Sequence, residues 1–263
     1  KISSELVNNT SDIYGEPGRR VLARHLPNLI VQHSIDLVIG NAENIAGGFG
    51  VTAELVHELF EMGFSALTTG NHAWDKKESI DLFRYEPRLL RPANYPPGVP
   101  GQGSTILEAP NGQRIGLLQL MGRVFMPTLD CPFQVAQREV AKLKEQVVAI
   151  VVDMHAEASS EKMAMGHFLD GQVAAVVGTH THVQTADEQI FPKGTAYMTD
   201  LGMTGPLYSV IGVKKELVIQ KFLTQMPCRF EVAPGPAVLC AAVVELDPQL
   251  GKAIGIQRIR LME

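Results

Sequence analysis

Four times along this chain a short apolar run stops at residues able to offer nitrogen or oxygen to a metal ion. Ile35-Asp-Leu-Val-Ile-Gly40 runs into Asn41-Ala-Glu43-Asn44, and Phe64-Ser-Ala-Leu-Thr-Thr69 into Gly70-Asn71-His72. Val147-Val-Ala-Ile-Val-Val152 runs into Asp153-Met-His155, and Val173-Ala-Ala-Val-Val177 into Gly178-Thr-His180-Thr-His182. Runs apolar at nearly every position read as strands of a sheet covered on both faces. In open α/β sheets, ligands bind beyond the carboxyl ends of the strands. Four such ends carrying N and O donors therefore predict one shared site.

Amphipathic stretches lie between these runs. Thr52 is placed to cap a helix carrying Leu55, Val56, Leu59 and Phe60 on one face, ended by Gly63. Residues 133–145 have helical spacing. Further strands are expected at Arg114–Leu120, Val238–Leu246 and Ile254–Leu261, with a Pro- and Gly-rich loop over Arg91–Gly103. Alternating strands and helices predict α/β layers. No internal repeat occurs, so residues 1–263 are read as a single domain.

Composition narrows the function classes. A hydrophobic share of 45% and a charged share of 19% suit a globular protein. The formal net charge of −5 and pI of about 5.9 argue against a duplex nucleic-acid partner. Cys131, Cys228 and Cys240 form no CxxC pair, which suits a reducing compartment rather than a disulfide framework or a cysteine zinc site. No apolar run has membrane-spanning length. The start, Lys1-Ile-Ser-Ser-Glu-Leu-Val, has no signal-peptide core and no initiating methionine, so an altered or incomplete beginning is expected. The reading is a cytoplasmic protein with no membrane partner.

The local chemistry leaves alternatives open. In extended chain, His180 and His182 point the same way and can both reach a metal, or they are two ordinary histidines of a polar loop. His155 is a structural histidine or a third imidazole of a mixed N/O site, with Glu157 as the acceptor of its other N–H. Glu43 can bridge two cations, or sit in a solvated turn. Asn71 is a neutral oxygen donor or the cap of a helix, and His72 a ligand or a free acid. Asp12 alone reads as a turn, followed by a helix with Pro17 near its first turn. No GxGxxG, P-loop or GxSxG segment competes.

Taken in order, Asp12, Gly40-Asn-Ala-Glu43-Asn44, Gly70-Asn71-His72, His155 and Gly178-Thr-His180-Thr-His182 resemble the blocks of the calcineurin-like metallophosphoesterases. Asn71–Lys77, Arg91-Pro-Ala-Asn94, Asp153–Lys162, Gly178–Asp187 and Gly202-Met-Thr-Gly-Pro206 resemble the YmdB-like branch, over nearly the whole chain from Asp12. The resemblance implies a four-layer α/β/β/α sandwich with two transition-metal ions, Fe or Mn. By motif position, Asp12, Glu43, Asn44 and His182 would hold one ion. Glu43, Asn71, His155 and His180 would hold the other, and His72 would be the catalytic acid. The implied activity is hydrolysis of small phosphodiesters, 2′,3′-cyclic nucleotides above all, by metal-hydroxide attack on phosphorus. Homo-oligomers are implied too, though no interface signature shows in the residues.

A phosphomonoesterase with the same metals is the alternative enzyme, and a non-catalytic metal-binding regulatory module the alternative class. Two features depart from the wider superfamily. Its DxH block is Asp12-Ile-Tyr14 here, as in the YmdB-like branch, which shifts the first metal toward Asn44. The family's apolar first strand corresponds to Glu5-Leu-Val-Asn-Asn-Thr-Ser11, which lacks alternation and reads as poor strand material.

Overall fold

The computed structural model describes residues 5–247 and 249–263. The expectation about the first four residues lies outside that range. The first half contains β1 (Glu5–Ile13), α1 (Gly15–His33), β2 (Leu37–Asn41), α2 (Ala53–Glu61), β3 (Ala66–Thr68), α3 (Ser79–Tyr85), β4 (Ser104–Glu108) and β5 (Arg114–Met121). Then come α4 (Pro132–Lys144), β6 (Ala149–His155), α5 (Ser159–Leu169), β7 (Ala175–Thr179), β8 (Gln189–Ile190) and β9 (Ala196–Met198). The chain finishes with β10 (Met203–Pro206), α6 (Lys215–Thr224), β11 (Ala237–Asp247) and β12 (Lys252–Met262).

The strands form two six-stranded sheets, ordered β12-β11-β10-β1-β2-β3 and β4-β5-β6-β7-β9-β8. Strands β10, β1, β2 and β3 run parallel, as do β5, β6, β7 and β9. Alternation within single strands shows why their sequences are apolar throughout. On β6, Ala149 and Val151 pack into the layer between the sheets, while Ile150, Val152 and Met154 pack with α4 and α5. On β2, Leu37 and Ile39 face the other sheet, and Val38 faces α1 and α2. Each sheet is thus covered by its partner on one side and by helices on the other, giving the four-layer α/β/β/α sandwich. Thr52 caps α2 as expected, accepting from Leu55 N at 3.4 Å, and Gly63 follows the helix at φ +105°.

The reading of residues 5–11 as poor strand material is corrected. Glu5–Ile13 is a strand inside the first sheet, parallel to β2 and antiparallel to β11. Pairing on both edges uses its backbone groups, and the hydroxyls of Thr10 and Ser11 have partners. Thr10 Oγ1 donates to Ile39 O (3.1 Å) and Ser11 Oγ lies 2.9 Å from Thr204 Oγ1. Buried hydroxyls are tolerated in a strand when each finds a partner, so alternating apolar residues are not required here. The other boundary change matters for function. β6 begins at Ala149 and continues through Asp153 to His155, so that histidine is locked in the ladder opposite Met121 and Thr179.

Candidate active site

The carboxyl ends of β1, β2, β3, β6 and β7 converge, bringing all eight singled-out residues together. Asp12, Glu43, Asn44 and His155 are buried; Asn71, His72, His180 and His182 are partly so. Beyond β2, Asn41 ties two strand ends, accepting from Glu43 N (3.0 Å) and donating to Thr69 O (3.0 Å). Glu43 Oε1 lies 3.1 Å from His155 Nε2, and Glu43 Oε2 accepts the His72 backbone N–H at 3.0 Å. Asn71 Oδ1 is 3.0 Å from the same His155 nitrogen. A side chain at Gly70 would collide with the His155 imidazole, so glycine is required there. Asn71 does not cap a helix, because the next one, α3, starts at Ser79.

The His180-Thr-His182 turn comes from the other sheet. Both histidines have positive φ, 98° and 62°, which costs energy for residues with a Cβ. Buried polar contacts hold the turn. Asp12 Oδ2 accepts from His180 N (3.0 Å), and Asp200 accepts from the Thr181 amide (3.2 Å) and hydroxyl (2.7 Å). Asp200 is itself paired with buried Lys162 at 2.5 Å. Asp12 Oδ1 then stands 3.9 Å from His182 Nε2. Ligand atoms of Glu43, His155 and His180 lie within 4.8 Å of one another.

Each imidazole is held from behind through one nitrogen. Thr179 Oγ1 donates its only proton to Asp153 Oδ1 (2.7 Å), so it must accept from His155 Nδ1 at 2.9 Å. That places the proton of a neutral His155 on Nδ1 and leaves Nε2 bare, facing the oxygens of Glu43 and Asn71. A lone pair set against two acceptors needs a cation among them. In the metal-free protein a proton serves. Burial opposes charge on His155, but Glu43 beside it raises the imidazole to about 9. Burial likewise opposes the Glu43 charge, yet His155 brings that carboxyl down to about 2. His182 Nδ1 donates to Ile211 O (3.0 Å), and His180 Nε2 meets Glu157 Oε2 (3.1 Å). Glu157 therefore serves His180, not His155: the latter's Nδ1 is taken by Thr179 on β7, whereas Glu157 sits half-exposed at the rim.

Two oxygens complete the fit to metal. Asp12 Oδ1 and Asn44 Oδ1 are buried with no hydrogen-bond partner among the described residues. Asn44 Nδ2 is committed to Gly48 O at 2.8 Å, so its oxygen is left for the site. Such orphans are costly unless something electropositive meets them. Burial lifts the Asp12 carboxyl to about 6, against the pull of His182 and His155. Burial, aided by His155, holds His180 down near 3, in the neutral form a metal needs. Imidazole nitrogens with carboxylate and amide oxygens, and no thiolate, suit a divalent metal ion. Tyr14 stands where the wider superfamily has its DxH histidine. It packs edge-on to His182 at 5.5 Å, and burial pushes its phenol up to about 12.

His72 stands apart from this cluster. Its Nδ1 donates to Asp75 at 2.8 Å, its ring meets Phe49 edge-on at 5.1 Å, and it lines a cavity of about 400 Å³ with Glu43, Asn44, His180 and His182. The relay Thr68–Asp153–Thr179–His155 is not among the features read from the sequence. Asp153 and His155 stand two apart on one strand, hence on one face, which is the signal the sequence offers for it.

Comparison with known proteins finds relatives over nearly the whole chain. Residues 9–259 match the family described as YmdB-like protein. The chain is 46% identical over 248 residues to a Bacillus subtilis (strain 168) protein named 2′,3′-cyclic-nucleotide 2′-phosphodiesterase, covering 94% of each. It superposes with TM-score 0.93 and 36% identity on a Mycoplasma pneumoniae structure described as a novel phosphatase, covering 100% of this chain and 95% of that one. A hypothetical protein from Thermus thermophilus gives TM-score 0.92 and 42% identity, over 98% of this chain and 99% of the other. With its fold, its converging strand ends and its sequence in agreement, the chain belongs to the YmdB-like family.

Proposed function

We propose that this chain is a dinuclear-metal phosphodiesterase acting on small phosphodiesters, 2′,3′-cyclic nucleotides first among them. The observation that carries the reading is the pair of orphaned oxygens, Asp12 Oδ1 and Asn44 Oδ1, beside three imidazoles each anchored through its other nitrogen. Asp12, Asn44 and His182 would hold one ion, Asn71, His155 and His180 the other, and Glu43 would bridge them. Fe or Mn is the proposed metal. When bound, the ions would supply positive charge to the phosphate oxygens and lower the pKa of a water at the site to about 7.

The protein's own groups do the rest. Asp75 fixes the His72 ring, so that its Nε2 presents a proton to the departing ribose oxygen. Water adds to phosphorus as the bond at the 2′ oxygen breaks, the bond that the name of the B. subtilis relative specifies, and the His72 proton goes to that oxygen, leaving a nucleoside 3′-monophosphate. Residues 1–263 are proposed to act as one metallophosphoesterase domain, since both sheets share one apolar layer. Among the described residues no helix is long and apolar enough to cross a membrane, and with three free cysteines a reducing, cytoplasmic setting is proposed.

A phosphomonoesterase using the same residues is the second reading, favoured by the M. pneumoniae neighbour, which is described as a phosphatase. Comparing kcat/KM for 2′,3′-cyclic AMP and p-nitrophenyl phosphate, with Mn²⁺ present, separates them. The diesterase reading expects the cyclic nucleotide to be preferred at least tenfold; the reverse preference overturns it.

A further inference from the structure

The cavity above the proposed metal site is larger and more apolar than phosphate chemistry requires. At about 400 Å³ it falls in the range of about 300–1,000 Å³ that encloses a whole small molecule. Its floor is Glu43, Asn44, His72, His180 and His182. Its apolar lining is Phe49 together with Val210, Val213, Val218, Phe222 and Phe230.

Nearly all of that apolar wall belongs to one excursion of the chain, residues 207–232, which leaves the sheet after β10, forms α6 and returns to β11. The excursion is a built structure. Val210 and Val213 exchange two backbone hydrogen bonds of 3.0 Å, and Lys214 N donates to Glu231 O at 3.0 Å. Val213 and Val218 pack with Tyr14 and Met203 in a small core, with Val210 and Phe230 against it. The excursion also touches the chemistry, since Ile211 O accepts from His182 Nδ1.

Phe222 is different. It lines the cavity yet is 73% exposed, on the open side of α6. An aromatic ring held at the mouth of a site by a packed scaffold is suited to receive a flat group. We propose that the 207–232 excursion is the specificity element of this enzyme, and that Phe222 and Phe230, which line the same cavity as Phe49, receive the nucleobase of the substrate while the polar residues hold its phosphate. This assignment rests on the phosphodiesterase reading, and it deepens it: phosphoesters bearing an aromatic base are selected, and base-free sugar phosphates are not. The cavity is continuous from the polar floor to the apolar wall, so one molecule with a phosphate end and an aromatic end fills both.

The test measures binding, so that it does not depend on turnover. The Mn²⁺-loaded protein is titrated calorimetrically with adenosine 3′-monophosphate and with the 3-phosphate of 1-O-methylribose, which lacks the base. Stacking on one aromatic ring contributes enough for about 5- to 100-fold in affinity. The native protein should prefer the nucleotide by at least about tenfold, and Phe222→Ala should lower that preference about fivefold or more. The Phe222 side chain is largely exposed, so this variant should fold; its thermal midpoint is checked against the native value. Equal binding of the two ligands by the native protein overturns the proposal. So does an equal loss for both ligands in Phe222→Ala. A Phe222→Ala protein whose changed oligomeric state accompanies unchanged nucleotide preference overturns it too, marking the wall as a contact between copies. Measuring 2′,3′-cyclic AMP turnover in parallel keeps the two readings apart. A nucleotide preference without turnover would sink the phosphodiesterase reading while leaving the base wall standing.

Discussion

Replacing Thr179 by valine removes one hydroxyl from a buried relay and little else. That hydroxyl accepts from His155 Nδ1 at 2.9 Å and donates to Asp153 Oδ1 at 2.7 Å. Valine keeps the shape and strands both partners. A buried polar atom left without its partner costs about 1–3 kcal/mol. Asp153 retains Thr68, 2.5 Å from its other oxygen, so the two losses together should lie near the lower end, about 2–4 kcal/mol. At about 2–4 °C per kcal/mol for a chain of this size, the metal-free protein should unfold on the order of 10 °C lower.

The effect on metal follows from the tautomer. With Thr179 gone, the remaining polar neighbour of His155 Nδ1 is Asn41 Nδ2, a donor 3.4 Å away. It favours the form that protonates Nε2, the wrong nitrogen for a ligand. Losing such a supporting contact typically costs about 10- to 100-fold in metal affinity. Chelator competition for Mn²⁺ measures this directly. Thr179→Ser, which keeps the hydroxyl, should stay within about threefold of native. A valine variant that binds Mn²⁺ as tightly as the native protein would refute the relay argument.

Neighbouring contacts can be perturbed in the same way. His72→Ala should lower turnover of 2′,3′-cyclic AMP by about 10²- to 10⁴-fold while retaining metal, since His72 lies outside the ligand cluster; normal turnover removes it from the acid role. Glu43→Gln, losing the carboxylate proposed to bridge the ions, should bind at least one ion fewer by elemental analysis. In the metal-free protein His155 titrates near 9, above its ordinary 6.5, so its contribution to stability is complete below pH 6.5 and lost as pH rises through 9. Asp12 and His180 titrate below that window, so thermal midpoints in chelator should fall between pH 6.5 and 9, and Mn²⁺ should flatten the curve. Lys162→Met leaves the Asp200 carboxylate buried and uncompensated beneath Thr181. It should cost about 3–5 kcal/mol, measured by denaturant unfolding.

The parts of the site legible in sequence are those where chemistry coincides with a strand end. Glu43, Asn71, His155 and His180 each follow an apolar run, and that local contrast survives without any structure. β1 escapes a sequence reading because its stability is not local. Thr10 and Ser11 look polar in sequence, yet their hydroxyls are committed to Ile39 and Thr204, residues reached only once the sheet forms. The 207–232 excursion is hidden for a related reason. Ile219, Phe222 and Leu223 are exposed on α6, so its apolar residues do not trace a single buried face. Pairings such as Lys162 with Asp200, 38 residues apart, leave no mark at sequence level.

The central claim is a two-metal site with Asp12 and Asn44 contributing their orphaned oxygens. Elemental analysis of the purified protein, with 2′,3′-cyclic AMP turnover assayed on the same sample, tests it most directly. Close to two transition-metal ions per chain together with turnover is the expected result, and replacing Asp12 by alanine should reduce the count. One ion or none, and no turnover after Mn²⁺ is added, would contradict the account and favour a non-catalytic binding role for this fold.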